Sequence, residues 1–432
     1  MRDVSLWRNL LGIEKTVLER VVFDEDAQVL VAHVRPVARQ RGRCGRCRRR
    51  SPQYDGGPGR RRWRALDLGT IRAELEADTP RVRCREHGVV VAAVPWARHD
   101  AGHTYAFDDQ VAWLATQASK STVTELMRIA WRTVGSIIDR VWEDIDAQHD
   151  RFDGLRRIGI DEISYKKGHK YLMVVVDHDR RRLVWAAPGR TSATVHEFFD
   201  LLGEQRCALI THVSADGADF IDTVVTDRCP AAVRVADPFH IVAWATDALD
   251  EVRRQGWNDA RKQARAEPKR GRGRPRSDAP PRPASDRAKA LKGARYSLWK
   301  NPENLTANQQ AKLAWIARTD PRLHRAYLLK EGLRVVFALP HDAAAEALDR
   351  WISWARRCRI PAFVKLQKRI AKHRDRILAA IEHRLSNGLI ESTNTKIRLI
   401  TRMAYGFKSA EALIAMAMLS LGGHRPVLPG RK

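Results

Sequence analysis

The chain has 432 residues, enough for about two to four cores at usual domain sizes, and carries 78 Lys+Arg against 51 Asp+Glu, a formal net charge of +27. That excess argues against an enzyme of small metabolites and suits the phosphate backbone of nucleic acid, whose neutralisation releases counterions. No apolar stretch reaches the roughly 18–20 residues of a membrane span, residues 1–10 hold no signal-peptide core, and six cysteines are too few and too unevenly spaced for a disulfide framework, so a reducing cytoplasm is the expected compartment.

The first segment, residues 1–100, reads as a small β-rich module. Val21, Val22, Val29, Leu30, Val31 and Val34 flank Asp24-Glu25-Asp26 and predict a hairpin over residues 20–34. A tight knuckle, Cys44-Gly45-Arg46-Cys47, follows, then a basic Gly/Pro loop through Arg62. Strands are expected over residues 71–76 and 81–83, ending at Cys84. Cys84-Arg85-Glu86-His87 repeats the knuckle spacing with histidine last. Four soft ligands in two pairs suit one tetrahedral, structural Zn²⁺. His99 or His103 could replace His87. Two unrelated thiol pairs are the bland alternative, disfavoured because the pairs flank strands. Cys207, Cys229 and Cys358 have no such partners and read as core thiols.

Residues 101–150 turn helical. Phe107, Val111, Leu114 and Ala115 mark one helix, residues 121–127 open a second behind an N-cap at Ser121, and residues 131–141 give a third. The last two have helix-turn-helix proportions, with Arg128, Arg132, Thr133 and Ser136 available to phosphate or base. An ordinary helical spacer competes with this reading.

Residues 151–266 alternate in the α/β manner. Strands are predicted at 157–164, 170–177 and 182–187, a helix at 193–203, a strand at 208–214, a helix from Asp219, a strand at 232–236 and a helix after Phe239. This order fits an RNase H-like sheet. Residues 267–383 interrupt it with a basic Pro/Gly loop holding Lys269, Arg270, Arg272 and Arg274, then an all-helical stretch with Trp299, Trp315, Trp351 and Trp354. The core resumes over residues 384–432 with a helix from about Asn387.

Three carboxylates stand out. Asp161 and Asp216 end apolar runs, and Glu391 lies on the late helix. Phosphoryl transfer on nucleic acid calls for two hard cations about 3.5–4 Å apart, held by carboxylate oxygens. Any one such acid alone is more simply a surface carboxylate; the three together, two of them after apolar runs in an α/β pattern, are harder to dismiss. Asp177 and Asp237 also end strands, and Asp237 with His240 could assist the site. Glu162 should point to the opposite side of its strand. Asn394, Thr395 and Arg398 recur at i+3, i+4 and i+7 from Glu391, with Lys396 nearby, so amide and basic groups flank the carboxylate.

These segments together resemble the ISL3 family of bacterial insertion-sequence transposases over nearly the whole chain. The resemblance rests on Cys44, Cys47, Cys84 and His87, on the helical segment, on Gly159-Ile160-Asp161-Glu162, Ser214-Ala215-Asp216-Gly217 and Ala236-Asp237-Pro238-Phe239-His240, and on residues 387–396 through Gly406-Phe407. Histidine at 87 departs from related knuckles, which often carry a fourth cysteine. The resemblance implies a nucleoid-associated DDE enzyme with an RNase H-like core, in which Asp161, Asp216 and Glu391 hold two Mg²⁺ (or Mn²⁺) ions. It implies 3′-end cleavage at terminal inverted repeats of double-stranded DNA and strand transfer, by at least a homodimer on DNA. A DNA-binding regulator with an inactive core, or a nuclease that cuts without joining, are the competing functions; the regulator should have lost a carboxylate, and none is missing.

Overall fold

The computed structural model describes residues 4–215, 219–267 and 282–431. Asp216 and the basic residues Lys269, Arg270, Arg272 and Arg274 lie outside the described residues.

A short helix, α1 (Val4–Leu10), leads into the expected hairpin of β1 (Thr16–Asp24) and β2 (Val29–Pro36), paired from Asp24↔Val29 to Thr16↔Pro36. Next come β3 (Gln53–Asp55), β4 (Arg60–Arg64), β5 (Arg72–Asp78), β6 (Arg81–Cys84) and β7 (Gly88–Val91). They form a four-stranded sheet, β1-β2-β5-β4, and a three-stranded one, β3-β6-β7. The predicted loop through Arg62 is therefore partly β3 and β4. Strand β4 shows little apolar alternation because only Trp63 faces inward, 5.5 Å from Trp96 in an edge contact. Its arginines are satisfied across the ladder, Arg62 by Glu74 and Glu76, and such cross-strand charge pairs sustain a strand without apolar partners.

Helices α2 (Tyr105–Gln117), α3 (Lys120–Met127) and α4 (Trp131–Gln148) follow. The α3 cap is Ser119, whose side chain accepts from the Thr122 amide, two residues earlier than the predicted Ser121. Arg128 takes a left-handed φ of 52° and closes α3. Phe107, Val111, Val123, Met127, Val134, Ile137, Ile138 and Val141 form the core of this unit. Asp108, fully buried, accepts from Arg140 at 3.1 Å and lies 3.6 Å from Arg98, which pins α2 to α4.

The central sheet is built from β8 (Arg157–Lys166), β9 (Lys170–Asp177), β10 (Arg182–Pro188), β11 (His212–Ala215) and β12 (Val233–Ala236), in the order β10-β9-β8-β11-β12. The first three are antiparallel; β11 runs parallel to both β8 and β12. Helices α5 (Ser192–Leu202), α6 (Glu204–Cys207) and α7 (Asp219–Arg228) lie between β10 and β12 in sequence. The strand predicted at 208–214 begins only at His212, because α6 and a turn occupy the preceding residues and Ile210 alone reaches the core. Cys207 and Cys229 are buried in this core, as expected.

Helix α8 (Pro238–Ala264) runs 27 residues from the sheet into an all-helical block. There it packs with α9 (Pro283–Lys292), α10 (Arg295–Trp299), α11 (Ala307–Thr319), α12 (Pro321–Val336), α13 (His341–Arg357), α14 (Pro361–Lys372) and α15 (Arg374–His383). Trp351 and Cys358 are buried here, and the Trp351 indole donates to the Leu329 carbonyl at 2.7 Å. The block is tied to the sheet by Asp222 of α7, which pairs with both Arg234 of β12 and Arg376 of α15. Helices α16 (Gly388–Met403) and α17 (Ala410–Leu421) then return to the sheet. Helix α17 was not anticipated: apolar nearly all round, it contributes Leu413, Ala417 and Met418 to the sheet's core and Ala415, Met416 and Leu419 to that of α2–α4. Each such large side chain, fully buried, contributes roughly 1.5–3 kcal/mol. No helix among the described residues is long and apolar enough to cross a membrane.

Candidate functional site

Parallel pairing decides which acids can meet. Ala215 is in register with Ile160 on one side and Ala236 on the other. Asp161, the next residue of β8 and still paired with Val174 of β9, and Asp237, which follows β12, therefore lie toward the same edge of the sheet, past the end of β11; Asp216 lies outside the described residues. Asp177 ends an antiparallel strand and pairs with Ile158, at the opposite end, where its carboxylate accepts from the Asp179 and Arg180 amides. It is a turn cap rather than a member of the site. Glu162 turns away from Asp161 and pairs with Arg190 at 2.8 Å.

Helix α16 closes the edge. Asn394, buried at 4 % exposure, donates from Nδ2 to Asp161 Oδ2 at 2.8 Å. One turn earlier on the same helix, Glu391 forms a group with Asp237 and His240 whose ligand atoms all lie within 4.8 Å of one another. Asp161 is not a member of that group. Asp237 is the N-cap of α8: Oδ2 accepts from the His240 amide at 3.3 Å and lies 2.8 Å from His240 Nδ1, while Oδ1 accepts from the Asn387 amide at 3.2 Å. Burial alone would raise the Asp237 carboxyl, but the His240 and Asn387 hydrogen bonds outweigh it and hold the group below the ordinary carboxylate value. Lys396 and Arg398 are exposed on α16.

Two carboxylates and an imidazole at this spacing are a donor set for a divalent cation. The side-chain amide of Asn387 and Oδ1 of Asn394 are buried without hydrogen-bond partners, as polar groups beside a bound cation and its water would be. Asn387 was not singled out in the sequence, since its backbone amide is what caps Asp237.

The cysteine knuckles do converge. Cys44 Sγ lies 3.8 Å from His87 Nδ1, Cys84 Sγ 3.6 Å from His87 Nδ1, and Cys47 Sγ 3.7 Å from Cys84 Sγ. Ligands about 2.0–2.3 Å from a tetrahedral ion stand roughly 3.4–3.8 Å apart along the tetrahedron's edges, so the four atoms fit Zn²⁺. Hydrogen bonding to His87 is the main cause that pulls the Cys84 thiol down to about 6. His99 and His103 are not in the cluster. His99 packs over Gly45, where a Cβ would lie 2.5 Å from its ring nitrogen, and His103, which burial pushes down to about 4, stacks on Phe107 at 4.9 Å.

The arginines clustered over residues 46–50 and 60–62 are only partly free for DNA. Arg48 is turned inward to the carbonyls of Val94 and Ala97, and Arg61 donates to the Ala101 carbonyl at 2.8 Å. Arg128 pairs with Asp67, which also holds Arg64, and so ties the β-rich module to α3. On α4, Arg132 and Ser136 are exposed and Thr133 is half-buried.

Family models match three consecutive parts of the chain. Residues 40–87 match the zinc-finger of transposase IS204/IS1001/IS1096/IS1165, residues 92–142 the helix-turn-helix domain of transposase family ISL3, and residues 158–417 the ISL3 transposase DDE model. Among curated proteins, the transposase for insertion sequence element IS1557 of Mycobacterium tuberculosis, strains H37Rv and CDC 1551, is 64% identical over 100% of this chain and 98% of its own length. The transposase for insertion sequence element IS1001 of Bordetella parapertussis is 26% identical over 95% of this chain and 96% of its own.

Proposed function

The chain belongs to the ISL3 family of transposases, and from that premise we propose that it binds the terminal inverted repeats of an insertion sequence, cuts at the 3′ ends and joins them to target DNA. The observation that carries this reading is α16: one helix places Glu391 beside Asp237 and His240 and lays Asn394 against Asp161.

In this reading residues 1–100 are the zinc module, 101–150 the helix-turn-helix, and 151–266 with 384–432 an RNase H-like core, interrupted over 267–383 by the basic loop and the helical insertion. The strand order β10-β9-β8-β11-β12, with the last two strands parallel to β8, supports the core assignment. Asp161, Asp216 and Glu391 are the catalytic carboxylates. Mg²⁺ or Mn²⁺ held by them would activate the attacking oxygen and stabilise the leaving one. Asp237 and His240 stand beside Glu391 as supporting donors to that metal, and Asp237, through the Asn387 amide, also fixes the start of α16. Asn394 orients the Asp161 carboxylate. Lys396, Arg398 and the basic residues Lys269, Arg270, Arg272 and Arg274 hold the DNA backbone, and Arg132, Thr133 and Ser136 contact the repeat. No side chain needs to form a covalent bond to DNA: water, then the freed 3′-hydroxyl, attacks phosphorus in line. Two ends must be held together, so the active form on DNA is at least a homodimer.

The test is a joining assay. The full chain is incubated with a labelled duplex ending in the element's repeat, a supercoiled target plasmid and Mg²⁺. Labelled end covalently joined to plasmid is expected; cut end without joined product would favour a nuclease that does not join.

A further inference from the structure

Trp131, absent from the residues singled out in the sequence, is 48% exposed at the first position of α4. Single exposed apolar residues are common and mean little. This one is held. Trp131, Gly135 and Asp139 form a row along α4 at i, i+4 and i+8, flanked by exposed Arg132 and Ser136. Lys120, from the first turn of α3, reaches into that row with its ammonium 4.1 Å from the indole centroid. Glycine at 135 makes room, since a Cβ there would stand 3.2 Å from Lys120 Nζ. Burial lowers the Lys120 ammonium's pKa and the charge of Asp139 opposes that shift, so a lysine is kept partly desolvated against this ring. Beside this row α4 is buried through Val134, Ile137, Ile138 and Val141, with Ile138 two turns along from Trp131, so the indole stands at the rim of the buried face with Arg132 and Ser136 on its solvent side.

The opening residues of the second helix of a helix-turn-helix face base edges in the major groove, where the thymine 5-methyl is the apolar feature to be read. We propose that Trp131, fixed by Lys120, is a base-contacting residue of α4 that reads a thymine methyl in the repeat. This rests on the reading of the chain as an end-binding transposase. Lys120 is then a positioning residue, acting through the ring rather than on phosphate.

The probe is the duplex enriched from a randomised pool by the full-length wild-type chain. Trp131→Ala should lose on the order of tenfold in affinity for that duplex, comparable with one mismatched base pair, and little for unrelated duplex. Trp131→Phe should keep part of the preference. Replacing each thymine of the duplex by uracil removes one methyl at a time; one replacement should weaken the wild type and leave Trp131→Ala unaffected. Lys120→Met should weaken the enriched duplex with the salt dependence unchanged, whereas a lost phosphate contact would lower the slope by about one. An equal loss on both duplexes, no loss, or no uracil-sensitive position in the wild type overturns the proposal. Failure to enrich any sequence would instead overturn the end-binding reading beneath it. Unchanged melting temperatures keep a folding defect apart from these outcomes.

Discussion

Asn394→Ala tests whether α16 positions the site or merely passes it. The Asn394 amide is buried and donates to one Asp161 oxygen at 2.8 Å, so the substitution removes a hydrogen bond to a charged group. Such bonds are worth about 1.5–3 kcal/mol. If that interaction is what orients the carboxylate, end cleavage should slow by roughly 10- to 150-fold. Binding of end DNA should be unchanged, because α4 and the zinc module are untouched. A freed carboxylate should also need more metal, so the Mg²⁺ titration of cleavage should shift to higher concentration. The assay is single-turnover cleavage of a labelled end duplex over a range of Mg²⁺, beside a thermal melt of the same protein. Wild-type rates with a wild-type metal titration would show that Asn394 does not orient Asp161. So would a rate loss that vanishes at temperatures where the variant is fully folded.

Other consequences are read more simply. Cys44→Ser should release zinc by elemental analysis and weaken end binding while Mg²⁺ binding at the core survives; undiminished zinc content would contradict the ligand set. Asp222→Ala strips the partner from Arg234, whose side chain is 13% exposed, and frees Arg376 of α15; a loss of about 3–5 kcal/mol in denaturant unfolding is expected, with cleavage falling as α16 loses its support. Met416→Ala opens a cavity in the core that α17 shares with α2–α4. It should cost about 2–5 kcal/mol, and proteolysis should then separate the helix-turn-helix from the core more readily.

Much of this was legible from local pattern. The valines of residues 20–34, the two Cys-led knuckles and the apolar runs before Asp161 and Asp216 each carry their own periodicity, so hairpin, ligand pairs and most strands could be read directly. The site was legible as residue types but not as an arrangement. Which acids share an edge depends on β11 running parallel to β8 and β12, a long-range pairing with no local mark. Strand β4 was hidden because its arginines find Glu74 and Glu76 across the ladder rather than a core. Helix α17 was hidden because it is buried on two sides and lacks an amphipathic stripe. The inward turn of Arg48 and the pairing of Arg128 with Asp67 were hidden for the opposite reason: a basic side chain looks free until its carbonyl or carboxylate partner is in place.

In the proposed mechanism Glu391, carried in on α16 beside Asp237 and His240, completes a metal-dependent phosphodiester site. Glu391→Gln preserves shape and removes the charge. Cleavage of an end duplex by this variant in Mg²⁺, measured with binding of the same duplex, is the most direct test. Wild-type binding with cleavage reduced to background is expected; cleavage at the wild-type rate would rule out a catalytic role for Glu391.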